Sequence, residues 1–242
     1  GVIIIGDEIL SGRTIDTNSN FIAKQLIEAG IKLEEIKIIQ DDRDIIIKDI
    51  IHFHKNFTYV FTTGGIGPTH DDITSESISL AFNQKYCLHP QAFKILEEYY
   101  PKGEFNEGRQ RMAKMPENSK LILNPMTAAP GFIINNIYVL PGVPEIMKKM
   151  FLNVLQTIKK NDPKKVLTIK TNLYESIIAE DLSSIQKKYS ECSIGSYPYY
   201  NYIDKTGGVN IVISSWTLKS IDHILLEIKK MISLLGGKST IV

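Results

Sequence analysis

At 242 residues, with 43% apolar and 23% charged side chains, the chain has the make-up of a soluble globular protein. It can hold one large domain, or a medium domain plus a small one. Its 28 Lys and Arg balance 27 Asp and Glu to a formal charge of +1, which argues against a nucleic-acid partner or an anionic-membrane footprint. No apolar run reaches the roughly 18 residues of a membrane span.

The chain opens on Gly1-Val2-Ile3 without a methionine, and residues 2–5 read as a buried strand already under way. The natural N-terminus is expected a few residues upstream, where any targeting signal would lie. Asp16-Thr17-Asn18-Ser19 caps a helix with Phe21, Ile22, Leu26 and Ile27 on one face, and Gly30 stops it. Residues 33–39 form a second strand. Residues 42–55 carry Ile45, Ile46, Ile47, Ile50 and Ile51 at helical spacing. A third strand, 57–62, feeds a glycine-dense turn and a helix over 73–82. Pro90 starts a helix reaching residue 100, and 106–114 is a further helix. A short strand at 121–123 precedes two more, 132–134 and 137–140, joined by Asn135-Asn136 in a type I′ hairpin turn. Pro141-Gly142-Val143-Pro144-Glu145 then opens a helix to about residue 159.

This alternation across residues 1–160 predicts an α/β domain with a mostly parallel, helix-covered sheet. The polar, proline-bearing stretch 159–165 reads as a boundary. Residues 166–242 follow as a small α+β domain in β-α-β-β-α order (166–171, 174–189, 193–197, 209–214, 221–235). Cys87 and Cys192 lie far apart with no CxxC spacing. They read as free thiols of a reducing cytoplasm, with a single disulfide as the alternative.

Chemistry concentrates in Thr62-Thr63-Gly64-Gly65-Ile66-Gly67-Pro68-Thr69-His70-Asp71-Asp72-Ile73-Thr74. A strand, a glycine turn and a helix start bring backbone close to a ligand and offer unpaired N–H groups to phosphate. Asp71 and Asp72 would repel a bare phosphate, so the pattern calls for a divalent cation between them. The expectation is a site for a phosphorylated small molecule. A turn with Asp72 only capping the next helix is the competing reading. The turn is neither a Walker A loop nor Gly-x-Gly-x-x-Gly.

With these motifs placed, the chain resembles the molybdopterin-binding superfamily. The residues that carry the likeness are Gly6-Asp7-Glu8-Ile9-Leu10, Gly12, Asp16-Thr17-Asn18, the Thr63–Thr74 turn and Leu140-Pro141-Gly142-x-Pro144. The likeness is strongest to CinA-type competence/damage-inducible proteins, and Pro68-Thr69-His70-Asp71-Asp72 is similar to the N-terminal domain of eukaryotic FAD synthase. Gly195-Ser196-Tyr197-Pro198-Tyr199-Tyr200 resembles the small second domain of CinA-like chains. The resemblance implies a three-layer α/β fold with a pterin or nucleotide at the C-terminal strand ends. It also implies a homo-oligomer.

By the same resemblance, Asp72 is the essential acid and Asp41 the second, with Asp72, Asp71 and Asp41 as candidate ligands of Mg²⁺ or another divalent cation. Helix capping is the bland reading of Asp41 and Asp72. Gly64, Gly65 and Gly67 cradle phosphate through N–H groups, and Thr63 and Thr74 offer hydroxyls. Glu8, Asp16 and Asn18 touch ring or ribose, or Asp16 only caps its helix. Pro141 and Gly142 shape a wall. His70 departs from the usual Lys, so it offers either weaker phosphate attraction or an acid–base group. Arg109 and Arg111 are phosphate clamps or solvated helix residues; His52, His54 and Trp216 read as packing or surface.

The implied activity is a metal-dependent nucleotide pyrophosphatase acting on ADP-ribose or FAD. The alternatives are molybdopterin adenylyl transfer, with molybdopterin as the ligand, or a non-catalytic pterin- or nucleotide-binding module.

Overall fold

A computed structural model describes residues 1–218 and 220–242. They form two compact units, Gly1–Ile27 with Lys32–Lys159, and Glu28–Ile31 with Lys160–Val242. In chain order the first contains β1 (Val2–Ile5), α1 (Asp7–Leu10), α2 (Asn18–Glu28), β2 (Ile36–Ile39), α3 (Arg43–Asn56), β3 (Val60–Thr63) and α4 (Thr74–Ala81). Then come β4 (Tyr86–Leu88), α5 (Pro90–Tyr99), α6 (Glu107–Arg111), β5 (Lys114–Pro116), β6 (Lys120–Ile122), β7 (Gly131–Ile134), β8 (Ile137–Leu140) and α7 (Pro144–Thr157).

The main sheet runs β2-β1-β3-β8-β7-β6. β2, β1, β3 and β8 are mutually parallel, and β7 alone is reversed, so β6 points the same way as the parallel set. The fold is therefore the mostly parallel α/β sheet that the sequence predicts.

Central parallel strands are covered on both faces, which is why β1 is Val-Ile-Ile-Ile and wholly buried. Alternate side chains serve the two faces. Ile3, Ile5, Val60, Ile137 and Val139 join one core with Ile46, Ile50 and Phe53 of α3, Ile78 of α4 and Leu96 of α5. On the other face Phe61 meets Phe151 of α7 edge-on at 5.1 Å, and Phe151 meets Phe21 of α2 at 6.3 Å. Asp49, 3% exposed on α3, is neutralised by Lys37 Nζ at 2.5 Å from its Oδ1. A buried carboxylate needs such a partner.

Several local readings change. β2 starts at Ile36 rather than 33: its pairing with β1 runs from Val2↔Ile36 to Ile5↔Ile39, and Glu35 contributes only its carbonyl, which accepts from Val2 N at 2.9 Å. The helix expected over 106–114 ends at Arg111, since Lys114–Pro116 is drawn out as β5 against β4 (Cys87↔Met115). β4, β5 and α1 are three or four residues long and leave no periodic pattern to read.

The β7–β8 turn is not type I′, which needs positive φ at both central residues; only Asn135 has it, at 52°. Asn136 instead fastens the turn to α3. Its Nδ2 donates to the carbonyls of His54 and Phe57 at 3.2 and 2.6 Å, and its Oδ1 lies 2.5 Å from His54 Nδ1. Asn136→Ala strands two carbonyls and an imidazole nitrogen. We expect a loss of roughly 2–3 kcal/mol in urea unfolding with an unchanged m-value.

The second unit holds β9 (Lys165–Thr171), α8 (Glu175–Lys188), β10 (Ser193–Asn201), β11 (Thr206–Ser215), α9 (Asp222–Leu234) and β12 (Ser239–Ile241). Its antiparallel sheet has the order β10-β11-β9-β12. Ile169, Val209, Ile211 and Ile213 pack with Ile178, Leu182 and Ile185 of α8 and Ile224 and Ile228 of α9. β12, unread in the sequence, completes a split βαβ arrangement by pairing Thr240 with Lys170. Cys87 and Cys192 are both free, and no helix among the described residues is long and apolar enough to cross a membrane.

Candidate functional site

In open α/β sheets ligands collect beyond the carboxyl ends of the parallel strands. Here the turns after β1, β2, β3, β8 and β6 meet at that edge around a cleft of about 590 Å³. Of the residues singled out in the sequence, Glu8, Asp41, Gly64, Gly65, Gly67, Asp71, Asp72, Pro141 and Gly142 line it.

The glycine turn is fixed by sterics. Gly64 has φ 104°, and a Cβ there would strike the carbonyl oxygen of Ile5; Gly65 has φ 67°, and its Cβ would strike the Thr74 hydroxyl. Gly64→Ala is expected to cost on the order of 3 kcal/mol, measured as a fall in the thermal midpoint.

Asp72 is not the cap of α4. That position is Ile73, with no side-chain bond. Asp72 Oδ2 accepts instead from Thr69 N at 2.8 Å and Thr69 Oγ1 at 2.5 Å, closing the turn and leaving its other oxygen for a ligand. The exposed Asp71 carboxyl lies below the usual range through the Thr69 hydroxyl, which it shares with Asp72, its own N–H and the nearby charges of His70 and Arg111.

Asp41 follows β2 and accepts from Asp7 N at 3.0 Å through Oδ2. The cap of α3 is its neighbour Asp42, which accepts from Asp44 N and Ile45 N at 3.0 Å each. Burial pushes the Asp41 carboxyl above the ordinary value; the Asp7 N–H opposes this, and the charges of Asp7, Glu8 and Asp71 add to it.

Four expected contacts lie elsewhere. Asp16 Oδ1 accepts from Asn18 N and Ser19 N at 2.9 and 3.1 Å, so Asp16 caps α2. Asn18, Thr63 and Thr74 are buried behind the cleft wall, at 6%, 1% and 0% exposure. Asn18 Nδ2 donates to Gly142 O at 2.8 Å, which ties the β8 turn to α2. Asn18 Oδ1 and the Thr63 and Thr74 hydroxyls have no hydrogen-bond partner.

His70 projects into solvent with a 96% exposed side chain, which removes it from the cleft. Arg109 is committed to Glu104, 3.0 Å from Oε2, and to the Tyr100 ring at 4.1 Å.

Sequence reading missed Thr14, Met112, Asn124, Thr127, Ala129, Pro130 and Ile146, all of which line the cleft. The signal was present in Asn124-Pro125-Met126-Thr127-Ala128-Ala129-Pro130-Gly131, a cluster of turn formers between two strands.

The charges are distributed unevenly. Every charged residue lining the cleft is acidic: Glu8, Asp41, Asp71 and Asp72. All four follow β1, β2 or β3, Glu8 on α1 and the other three on loops. The β8 and β6 turns contribute only uncharged residues. Among the described residues no group of three or more His, Cys, Asp or Glu side chains is arranged to hold a metal ion.

Comparison with known proteins agrees with this architecture. Residues 1–160 match the family model described as "Probable molybdopterin binding domain", and residues 165–235 match that of "FAD synthase, middle domain". A protein of Archaeoglobus fulgidus is 36% identical over 202 residues, covering 84% of this chain and 86% of that one. A CinA-like protein of Thermosipho melanesiensis is 31% identical over 242 residues, covering 92% of this chain but 59% of its own length. The chain thus spans little more than half of that relative. The solved structure of CinA, of unknown function, from Thermoplasma acidophilum superposes with a TM-score of 0.60 at 32% identity, over 64% of this chain and 94% of that one. With a sheet of this order and a family match across its first 160 residues, the chain belongs to the molybdopterin-binding domain family and is CinA-like.

Proposed function

We propose that the chain is a divalent-metal-dependent nucleotide pyrophosphatase that cleaves the phosphoanhydride of a substrate such as ADP-ribose or FAD. The observation that carries this reading is a glycine turn offering main-chain N–H groups beside four carboxylates, in a cleft lined by no Lys, Arg or His. His70 and Arg111 lie near Asp71 but outside the lining, so the charged groups a diphosphate meets in the cleft are carboxylates, and a cation must accompany it.

The donor set suits Mg²⁺. Its ligands are hard oxygens, and such ions are held by one or two carboxylates with the remaining positions taken by water and phosphate oxygens. That is consistent with the lack of a closed protein cage among the described residues. Asp72 and Asp41 would hold the ion, with Asp71 at the rim. When bound it would neutralise charge developing on the phosphoryl oxygens.

The chain's own groups do the rest. The Gly65, Ile66 and Gly67 amides fix the phosphates, while the Gly64 N–H is spent on Leu140 O at 3.2 Å. Water adds to one phosphorus, its bond to the bridging oxygen breaks, and the two products are AMP and the other phosphate monoester, ribose 5-phosphate from ADP-ribose or FMN from FAD. A carboxylate of this cluster takes the water's proton. The match of residues 165–235 to a FAD synthase domain makes FAD a substrate to test beside ADP-ribose.

The match of residues 1–160 favours a second reading, adenylyl transfer from ATP to molybdopterin. Incubation of the purified chain with Mg²⁺ and ADP-ribose or FAD separates the two. AMP release supports the first. Silence there, with ATP-dependent conversion of the pterin, supports the second.

A further inference from the structure

We propose that Thr127, held in place by Asn124, donates a hydrogen bond to the uncharged portion of the ligand, its ribose or heterocycle, and so fixes which way the ligand lies along the cleft. This rests on the nucleotide reading given above.

The first support is the asymmetry of the cleft. Its carboxylates all belong to the β2-β1-β3 side, and so does the glycine turn, whereas Asn124, Thr127, Ala129, Pro130 and Ile146 on the other side carry no charge. Phosphates with their cation are stable at the first end. The neutral half of a nucleotide then falls toward the second, where no carboxylate and no cation competes for it.

The second support is the hydrogen bonding of the 124–129 turn. Asn124 Nδ2 donates to Thr127 Oγ1 at 2.7 Å and to Ala129 O at 2.9 Å. Asn124 Oδ1 accepts from Met126 N and Thr127 N at 2.9 and 3.2 Å. The amide cannot be flipped, because its NH₂ would then face two backbone N–H groups. All of its capacity is therefore spent inside the turn, and Asn124 is a positioning residue. Those bonds also hold Ala128 at φ 62°, a conformation a non-glycine residue keeps only under such constraint.

Thr127 is left in a defined state. One lone pair of its hydroxyl is taken by Asn124, so its proton is available in the cleft. It is a donor set at the neutral end, and it faces acceptors such as ribose oxygens, ring nitrogens or ring carbonyls.

The test compares two probes by calorimetry with the full chain and Mg²⁺: ADP-ribose, and inorganic pyrophosphate, which lacks the neutral half. Thr127→Val, nearly isosteric, should weaken ADP-ribose binding about five- to tenfold and leave pyrophosphate unchanged. Thr127→Ser should keep wild-type affinity for both. Equal weakening of both probes, or of neither, overturns the proposal while the nucleotide reading stands. Wild-type protein that binds neither probe overturns both.

Discussion

On the proposed reading, Asp72→Ala is expected to lower AMP release from ADP-ribose by about a thousandfold or more while the fold survives. The reason is that one carboxylate serves two tasks through different atoms. Its Oδ2 holds Thr69 N and Oγ1 and so closes the turn. Its charge, with that of Asp41, would recruit the cation that the proposed diphosphate needs in a cleft lined by no basic side chain.

The first task is worth roughly 1–2 kcal/mol of local stability, since the bonds lie at the surface. The second is worth several kcal/mol at the transition state, and 1.36 kcal/mol is tenfold in rate. Asp72→Asn separates them. An amide oxygen still accepts from Thr69, so the thermal midpoint stays near wild type, but the neutral side chain attracts no cation, so turnover stays lost. Recovery of turnover by Asp72→Asn in steady-state assays with Mg²⁺ would show that the residue acts only as a turn clasp.

Asp41→Asn should remove most turnover, by about a hundredfold or more, and at the same time make the metal-free protein more stable at neutral pH. Burial raises the Asp41 carboxyl above its ordinary 3.8, with Asp7, Glu8 and Asp71 adding repulsion. The folded state therefore binds this proton more readily than the unfolded chain. Stability attributable to Asp41 falls as pH rises from 3.8 through the folded value, and the cost is complete above it.

Asparagine keeps an acceptor for the Asp7 N–H and carries no charge, so it escapes that cost. The gap in thermal midpoint between variant and wild type should be largest at neutral pH and close as pH drops below 3.8. Saturating Mg²⁺ should shrink the gap from the other side, by stabilising only the wild type. A variant less stable than wild type at neutral pH without metal would mean that Asp41 is a structural acceptor and not a strained ligand. A site that held such repulsion until a cation arrived would be the usual exchange of stability for function.

The sequence by itself determined the elements whose signals are local. Val-Ile-Ile-Ile for a strand buried on both faces, the Asp16 cap, the isoleucine stripe of α3 and the glycine turn after β3 each declare themselves within a few residues, whereas the cap of α3 is Asp42 and not Asp41. The order of strands and helices then implies the parallel sheet. A parallel sheet sends its ligand to its carboxyl edge, where the glycine turn with Asp72 was legible from its own residues and Asp41 was named through the family resemblance.

Tertiary structure alone decided what depends on pairing across the chain. β12 exists because β9 offers it an edge, and the helix near residue 111 ends because β4 offers one to Lys114–Pro116. Asn18, Thr63 and Thr74 sit behind the cleft wall, since side-chain direction follows from packing and not from spacing. Thr127 enters the site only because β6 runs parallel with β8, which carries its turn to the same edge as residues more than fifty positions away. Contacts of that range leave no periodic trace along a chain; only the folded sheet brings them together.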